Sequence, residues 1–253
     1  MENLQEREIK VSIITVVYNC ADTLSRTIES VLNQTYSNVE YIILDGKSTD
    51  STLEIAKSYQ EKFDSAEGKT LTIISEKDNG MYDALNKGAN IATGEIVGQI
   101  NADDYYELNA VEKMVELYKN EDYDIAWANL NILRGEKKLI KRAKLGGLWT
   151  TSKFCHPSMF SKREILLAFP YACHQMDDDF DYATRVYKAD KKICVLDEVI
   201  ANYSLGGMST KRSFKNMLKR IKMKYGTYRR HGFSRFYWFN CLFVELAKFI
   251  LGK

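Results

Sequence analysis

Apolar positions recur along the chain in two alternating rhythms. Residues 9–17 are almost continuously apolar and β-branched and end at Tyr18-Asn19, the pattern of a strand buried on both faces. Leu24, Ile28, Val31 and Leu32 then recur at helical spacing. Residues 39–44 predict a second buried strand that closes at Asp45-Gly46. Ser51 with Glu54 predicts a capping box for a helix running to about Phe63. Residues 71–75 predict a third strand, and Met81, Leu85, Ala89 and Ala92 an amphipathic helix stopped at Gly94. A fourth strand over 95–100 ends at Asn101-Ala102-Asp103-Asp104. Beyond it the rhythm loosens. The pattern predicts a helix over 108–118, strands over 124–133, 138–141 and 193–203, and a loop over 149–157.

This alternation predicts an α/β fold, a doubly wound and mostly parallel sheet with helices on both faces. The polar clusters at 15–19, 45–50, 76–80 and 101–104 all follow strands. Ligands of such sheets bind outside the carboxyl ends of the strands, so four clusters at four strand ends predict a nucleotide-type pocket. Neither internal repeats nor low-complexity segments interrupt the chain.

Composition narrows the class. With 253 residues, 45% hydrophobic and 28% charged, the chain reads as one large folded domain, or one domain with a small appendage. Five scattered cysteines, odd in number and without a CxxC pair, argue against a disulfide framework or a structural zinc site. The charged first ten residues lack the apolar core of a signal peptide. Together these predict a cytoplasmic protein with free thiols. The net charge of +2 hides an asymmetry: residues 211–253 hold twelve Lys/Arg and one acid, residues 1–210 hold 24 basic and 33 acidic residues.

The sharpest chemical feature is Asn101-Ala102-Asp103-Asp104. Two adjacent carboxylates on a loop after a buried strand suit Mg²⁺ or Mn²⁺, which take oxygen ligands and often share them with substrate phosphates. The alternative is an N-cap, with Asp103 or Asp104 capping the helix over 108–118. A second acidic run, Asp177-Asp178-Asp179-Phe180-Asp181, reads by itself as a solvated helix start.

Four blocks carry a resemblance. Val11–Asn19, Ile43–Asp50, Ser75–Gly88 and Asn101–Asp104 keep the order and spacing of glycosyltransferase family 2, of the type that builds bacterial surface polysaccharide. The resemblance implies a GT-A fold over 1–210, with a nucleotide-sugar-binding half over 1–104 and an acceptor and catalytic-base half over 105–210. It implies that Thr15, Tyr18, Asn19 and Asp45 line the base and ribose pocket. Asp78, Gly80, Asn86 and Lys87 would face the diphosphate or sugar, with Asn101 and Asp103 also on the donor. Asp104 would be the direct ligand of Mn²⁺ or Mg²⁺, with Asp103 approaching it. Asn101 replaces the first Asp of the DxD-type motif, so metal binding leans on Asp103 and Asp104. Asp179 would be the general base and Asp178 its partner, with a one-residue register ambiguity across 177–179. His156, Asp181, Arg185, Gly207 and Ser209 would lie on the acceptor or phosphate side; His156 reads equally as structural, and Gly207 and Ser209 as a plain loop.

The implied reaction is inverting transfer of a sugar from a nucleoside-diphosphate sugar, UDP by family habit, to a glycan or polyprenyl-diphosphate-linked acceptor. The rival readings are a sugar-phosphate nucleotidyltransferase and a non-catalytic subunit that kept the fold. Residues 15–19 lack the glycine-rich phosphate loop of the first, and GxGxxG of a dinucleotide enzyme is absent. The tail, 211–253, places Phe214, Met217, Leu218, Ile221, Tyr225 and Tyr228 on one helical face, with most of its basic residues elsewhere. Its residues 236–251 are aromatic and apolar, 16 residues interrupted by Asn240, Glu245 and Lys248, fewer than the roughly 20 a spanning helix needs. This predicts peripheral association with an anionic membrane on its inner face. The alternative is packing on the domain or in a homodimer. No nucleic-acid motif accompanies the charge.

Overall fold

The computed structural model describes residues 4–135, 137–173, 177–205 and 213–251. Four parallel strands form the first half: β1 (Val11–Val17), β2 (Val39–Asp45), β3 (Lys69–Ser75) and β4 (Ile96–Gln99), in the spatial order β3-β2-β1-β4. Every position of β2 is buried, as is all of β1 except the half-buried Val16. Continuous apolar runs suit strands covered on both faces by crossover helices. Those helices are α1 (Ala21–Leu32), α2 (Thr52–Ser58), α3 (Gln60–Asp64) and α4 (Met81–Ile91). Helix α4 lies close on the sheet because residue 88 is glycine: a Cβ there would meet Ile14 and Leu44 at 2.8 Å.

One local expectation is corrected here. The helix from Ser51 to Phe63 is broken at Tyr59, and the Ser51 side chain makes no capping bond. Asp50 caps instead, its Oδ1 accepting from the Thr52 N–H (3.0 Å) and hydroxyl (2.5 Å).

The second half continues the sheet from β4 through β8 (Phe160–Lys162), β6 (Ile125–Arg134) and β9 (Ile193–Ser204) to β5 (Tyr105–Tyr106), with β7 (Lys137–Lys141) on β6. Strand β8 runs antiparallel to both β4 and β6, while β9 is parallel to β6 with register shifts around Asn129. A short 3₁₀ turn, His156–Ser158, precedes β8. Helices α5 (Ala110–Glu121), α6 (Arg163–Ala168) and α7 (Asp178–Lys188) complete the body.

The chain closes with a helical hairpin, α8 (Phe214–Arg230) and α9 (Tyr237–Leu251). It is tied to the body. The Tyr228 hydroxyl donates to the Trp149 carbonyl at 2.8 Å, and the Tyr237 hydroxyl accepts the Trp149 N–H at 3.3 Å. The apolar face expected of α8 is therefore divided. Met217, Ile221 and Tyr228 are buried, whereas Phe214 and Leu218 are exposed.

Candidate active site

The carboxyl ends of β1, β2 and β3 meet in a hydrogen-bonded shelf. Asn19, held at a left-handed φ of 52°, accepts at its Oδ1 from the Thr49 N–H (2.8 Å), and its own N–H reaches the Ser48 hydroxyl (2.9 Å). Asp45 is buried and occupied on both oxygens, by the Ser48 N–H at 3.1 Å and the Ser75 hydroxyl at 2.5 Å. Gly46 marks where three groups converge: a Cβ there would lie 2.7 Å from Asp78 Oδ2 and 3.6 Å from the Tyr18 ring. Tyr18 is 61% exposed, an aromatic face free to stack. Asp78 turns back through Oδ1 to the Gly80 N–H at 2.8 Å. Gly80 has φ 112°, a conformation open to glycine. Lys87 stands beside this turn, paired with Glu76 at 2.9 Å and bonded to the Lys77 carbonyl.

The loop after β4 adds two carboxylates with opposite environments. Asp104 is fully buried, accepting the Ser204 N–H at Oδ1 (2.8 Å) and the Asn101 amide at Oδ2 (3.2 Å). Burial, reinforced by the charge of Asp103, pushes its carboxyl up to about 7. Asp103 is half-buried, and burial raises it too. Arg26 donates to its backbone carbonyl at 2.8 Å and to the Ser204 hydroxyl at 3.0 Å, while lying over the Tyr105 ring. Among the described residues no basic side chain comes within ion-pair distance of the Asp103 carboxylate. The Asp103, Asp45 and Asp50 charges all act on the Cys20 thiol, whose pKa burial raises first of all. The two strand-end carboxylates Asp45 and Asp103 thus share one neighbourhood.

The acid of α7 comes to the same end of the sheet. Gln99, the last residue of β4, accepts from the Tyr171 hydroxyl at 2.5 Å and meets His156 Nε2 at 3.3 Å. Burial lowers the pKa of His156 and the Asp179 charge opposes that; Tyr171 and Tyr82 also feel Asp179, and the Tyr82 hydroxyl bonds its backbone. So Asp179 faces a cluster whose anchor, Gln99, is two residues from Asn101. Its neighbours face inward: Asp178 is buried, and Asp177 holds both carboxylate oxygens out of solvent with no hydrogen-bond partner among the described residues. Burial and the Asp179 charge push Asp177 up to about 7. The cluster is therefore no solvated helix start, and neither Asp103 nor Asp104 caps α5, whose N-cap is Asn109.

Tyr18, Asn19, Asp45, Asp78, Gly80, Lys87, Asn101 and Asp103 follow the carboxyl ends of β1–β4, and His156 and Asp179 gather about Gln99 at the end of β4. Four expected residues are engaged elsewhere. Thr15 is fully buried on β1, its hydroxyl accepting from Tyr41 at 3.0 Å, because its side chain points into the sheet's covered face. Asn86 is a latch, bonding the Tyr171 N–H and carbonyl at 2.8 and 2.9 Å. Arg185 bonds Asp181 at 3.0 Å and the Pro170 carbonyl at 2.6 Å, and Asp181 is turned toward the C-terminal hairpin. Gly207 and Ser209 lie outside the described residues. Sequence reasoning missed Arg26, Gln99, Tyr82 and Tyr171. Each sits within an ordinary helix, strand or loop pattern, and only the cross-chain contacts mark it.

As for a cation, no group of three or more His, Cys, Asp or Glu among the described residues is arranged to hold one. What Asp103 offers is a partly exposed carboxylate, with oxygen atoms only, on the loop after β4. That donor set fits a hard divalent ion completing its shell with phosphate and water, and does not fit a soft metal.

Comparison with known proteins places the chain. The sequence model described as Glycosyl transferase family 2 matches residues 12–182, which takes in both acidic clusters. An uncharacterized glycosyltransferase of Nostoc sp. is 33% identical over 172 residues, 62% of this chain and 52% of its own. A PGL/p-HBAD biosynthesis glycosyltransferase of Mycobacterium tuberculosis is 28% identical over 84% of both chains. The Escherichia coli UDP-Glc:alpha-D-GlcNAc-diphosphoundecaprenol beta-1,3-glucosyltransferase WfaP is 32% identical over 48% of this chain and 46% of its own. The chain thus spans about half the length of the Nostoc and E. coli relatives. Among solved structures, Staphylococcus aureus TarS 1–349 in complex with UDP-GlcNAc superposes with a TM-score of 0.68 at 17% identity, over 96% of this chain and 72% of that one. The mannosyltransferase PcManGT of Pyrobaculum calidifontis, in complex with GDP-Man and Mn²⁺, gives 0.62 at 19%, over 87% and 62%. These likenesses fix the architecture as GT-A.

Proposed function

The chain belongs to glycosyl transferase family 2, and from that premise we propose that it is an inverting, metal-dependent enzyme. It takes a sugar from a UDP-sugar and places it on a hydroxyl of a lipid-linked glycan in bacterial surface polysaccharide synthesis. UDP-sugars recur in the names of the E. coli relative and the TarS complex, and the acceptor named for the former is a diphosphoundecaprenol glycan. The donor's base stacks on Tyr18 and its ribose meets the shelf at Asn19, which Asp45 supports from beneath through Ser48. Lys87 and the backbone N–H groups at the Asp78–Gly80 turn face the diphosphate. We assign the direct metal bond to Asp103 rather than Asp104, because both Asp104 oxygens are occupied by protein donors. A divalent cation held there supplies charge neutralisation for the leaving diphosphate.

Asp179 accepts the proton of the acceptor hydroxyl as that oxygen attacks the anomeric carbon. The bond to the diphosphate breaks on the opposite face, so an α-linked donor yields a β-linked product. The observation that supports this reading is the Gln99–His156–Tyr171 cluster at the end of β4, which lies within the field of the Asp179 charge, with Gln99 two residues before Asn101. The test is turnover of UDP-glucose, UDP-galactose, UDP-N-acetylglucosamine and GDP-mannose with Mn²⁺ and a polyprenyl-diphosphate-linked acceptor. One donor is expected to support transfer, and Asp179→Asn to slow it by roughly 10²–10⁴-fold. Absence of turnover with every donor sinks the catalytic reading.

We also place the α8–α9 hairpin on an anionic membrane surface. No helix among the described residues is long and apolar enough to cross a membrane. Phe239, Phe243 and Ile250 are exposed along one side of α9, with the exposed Phe236 just before it, and Phe214, which contacts Phe249, and Leu218 are exposed on α8. The only acid of 211–253, Glu245, is fully buried, so the charges the hairpin shows outward are basic. An exposed aromatic stripe with a basic surround fits the boundary between headgroups and acyl chains.

A further inference from the structure

Asp181 is nearly closed to solvent, its side chain 5% exposed, yet it sits one helical turn into α7 on the same first turns as Asp179. Three cationic or cation-capable groups close on it. Arg185 Nε, from α7 itself, donates to Oδ2 at 3.0 Å. Arg230, the last residue of α8, donates to Oδ1 at 3.2 Å, and His231 Nε2 donates to the same oxygen at 2.9 Å. Burial raises the Asp181 carboxyl, but the hydrogen bonds from His231, Arg230 and Arg185 outweigh it and hold it below the ordinary range. The two longer-range partners come from the hairpin, some fifty residues along the chain. A surface ion pair of this kind contributes little to stability, but this carboxylate is buried, and its grip fixes geometry.

We infer that Asp181, Arg230 and His231 form a positioning clamp through which the C-terminal hairpin sets the rotation of α7, and with it the bearing of Asp179 in the cleft. The inference rests on the reading of Asp179 as the base. Residues two apart on a helix project about 200° from one another. Holding Asp181 against α8 therefore turns Asp179 toward the other side, where His156, Tyr171 and Tyr82 feel its charge. Phe180, between the two acids, packs edge-on against Tyr228 of α8 at 5.6 Å, so the helix is held by an apolar contact beside the polar one. Trp149, bonded to Tyr228 and Tyr237, stacks on Tyr187 at 4.2 Å and bonds Thr184 at 2.9 Å further along α7. The hairpin thus grips the first turns of α7 directly and reaches further along it through Trp149. It touches none of the donor-side residues at Tyr18, Asn19, Asp45 or Asp103 through any of these contacts.

Such a clamp predicts a split between chemistry and donor binding. A misplacement of about 1 Å at a reacting group costs about a hundredfold in rate. In the full-length protein, with whichever of the four nucleotide sugars supports transfer, the double variant Arg230→Gln/His231→Gln is expected to lower kcat by about tenfold to a hundredfold. The donor KM stays unchanged, and Arg230→Lys with His231 retained recovers part of kcat. Asp181→Asn keeps the shape and one acceptor oxygen and falls between. If Asp181→Asn fails to fold, the double variant, altered at partly exposed positions, decides. Wild-type kcat in the double variant overturns the clamp. So does a parallel loss of kcat, UDP affinity and melting temperature, which would mark a purely structural role. Asp179→Asn at the wild-type rate sinks the base assignment instead; Asp179→Asn inactive with the double variant fully active sinks the clamp alone.

Discussion

Asp103 and Asp104 are neighbours in the chain with opposite surroundings, and the difference separates two effects that a double substitution would confound. Asp104→Ala leaves the buried Ser204 N–H and the Asn101 amide without their acceptor. That is expected to destabilise the fold by about 1–3 kcal/mol, read as a lower denaturant midpoint. Asp103→Ala removes a half-buried carboxylate with no ion-pair partner among the described residues. It is expected to leave the midpoint nearly unchanged and to lower Mn²⁺-dependent turnover about a hundredfold or more. A variant pair with these outcomes reversed would return the metal bond to Asp104. The motif was legible as a pair of acids after a strand. Which of them is buried was not, because that depends on the end of β9, a hundred residues away, supplying the Ser204 N–H.

At the scale of elements, the α8–α9 hairpin is held by a buried charge cluster. Glu245 is fully buried and bonds Lys224 and, at 2.7 Å, Arg220, with Lys248 at 3.5 Å. Burial pushes its carboxyl up, but Lys224, Lys248 and Arg220 overcome that and bring it to about 2. An unfolded-chain Glu titrates near ~4.3. Because the folded value is the lower one, ionised Glu245 contributes stability that is complete above that ordinary value and is lost as pH falls toward 2. Glu245→Gln is therefore expected to lower the urea midpoint at pH 6, with a gap to wild type that narrows at pH 3. A gap independent of pH would refute the charge origin. Most elements were readable, since a buried strand or an amphipathic helix writes its period into nearby residues. The break at Tyr59 and the divided face of α8 were not. The second follows from the body covering only part of that helix's apolar surface.

For the whole molecule, the hairpin joins an outward aromatic face to an inward grip on α7. Replacing Phe236, Phe239 and Phe243 with Ser removes exposed apolar surface and no core contact. Binding to vesicles containing anionic lipid is expected to fall at least tenfold, since each buried CH₂ contributes about 0.8 kcal/mol, while transfer to a short soluble acceptor persists. Unchanged co-sedimentation would reassign that face. Deleting the hairpin outright is a poorer test, because it would also remove Tyr228 from Trp149 and Arg230 and His231 from Asp181.

By itself the sequence determined the α/β class, the strand–helix alternation of the first half, and the placing of polar clusters at strand ends. These are local matters: hydrophobic period and turn chemistry are set within a dozen residues. It also marked both acidic clusters, since adjacent carboxylates stand out in any pattern. Only the tertiary structure decided which members of those clusters are buried, that Thr15 bonds Tyr41 and Asn86 bonds Tyr171, and that Asp181 is held by Arg230 and His231. A side chain's exposure and partners depend on elements that approach from far along the chain, and no local period records their arrival.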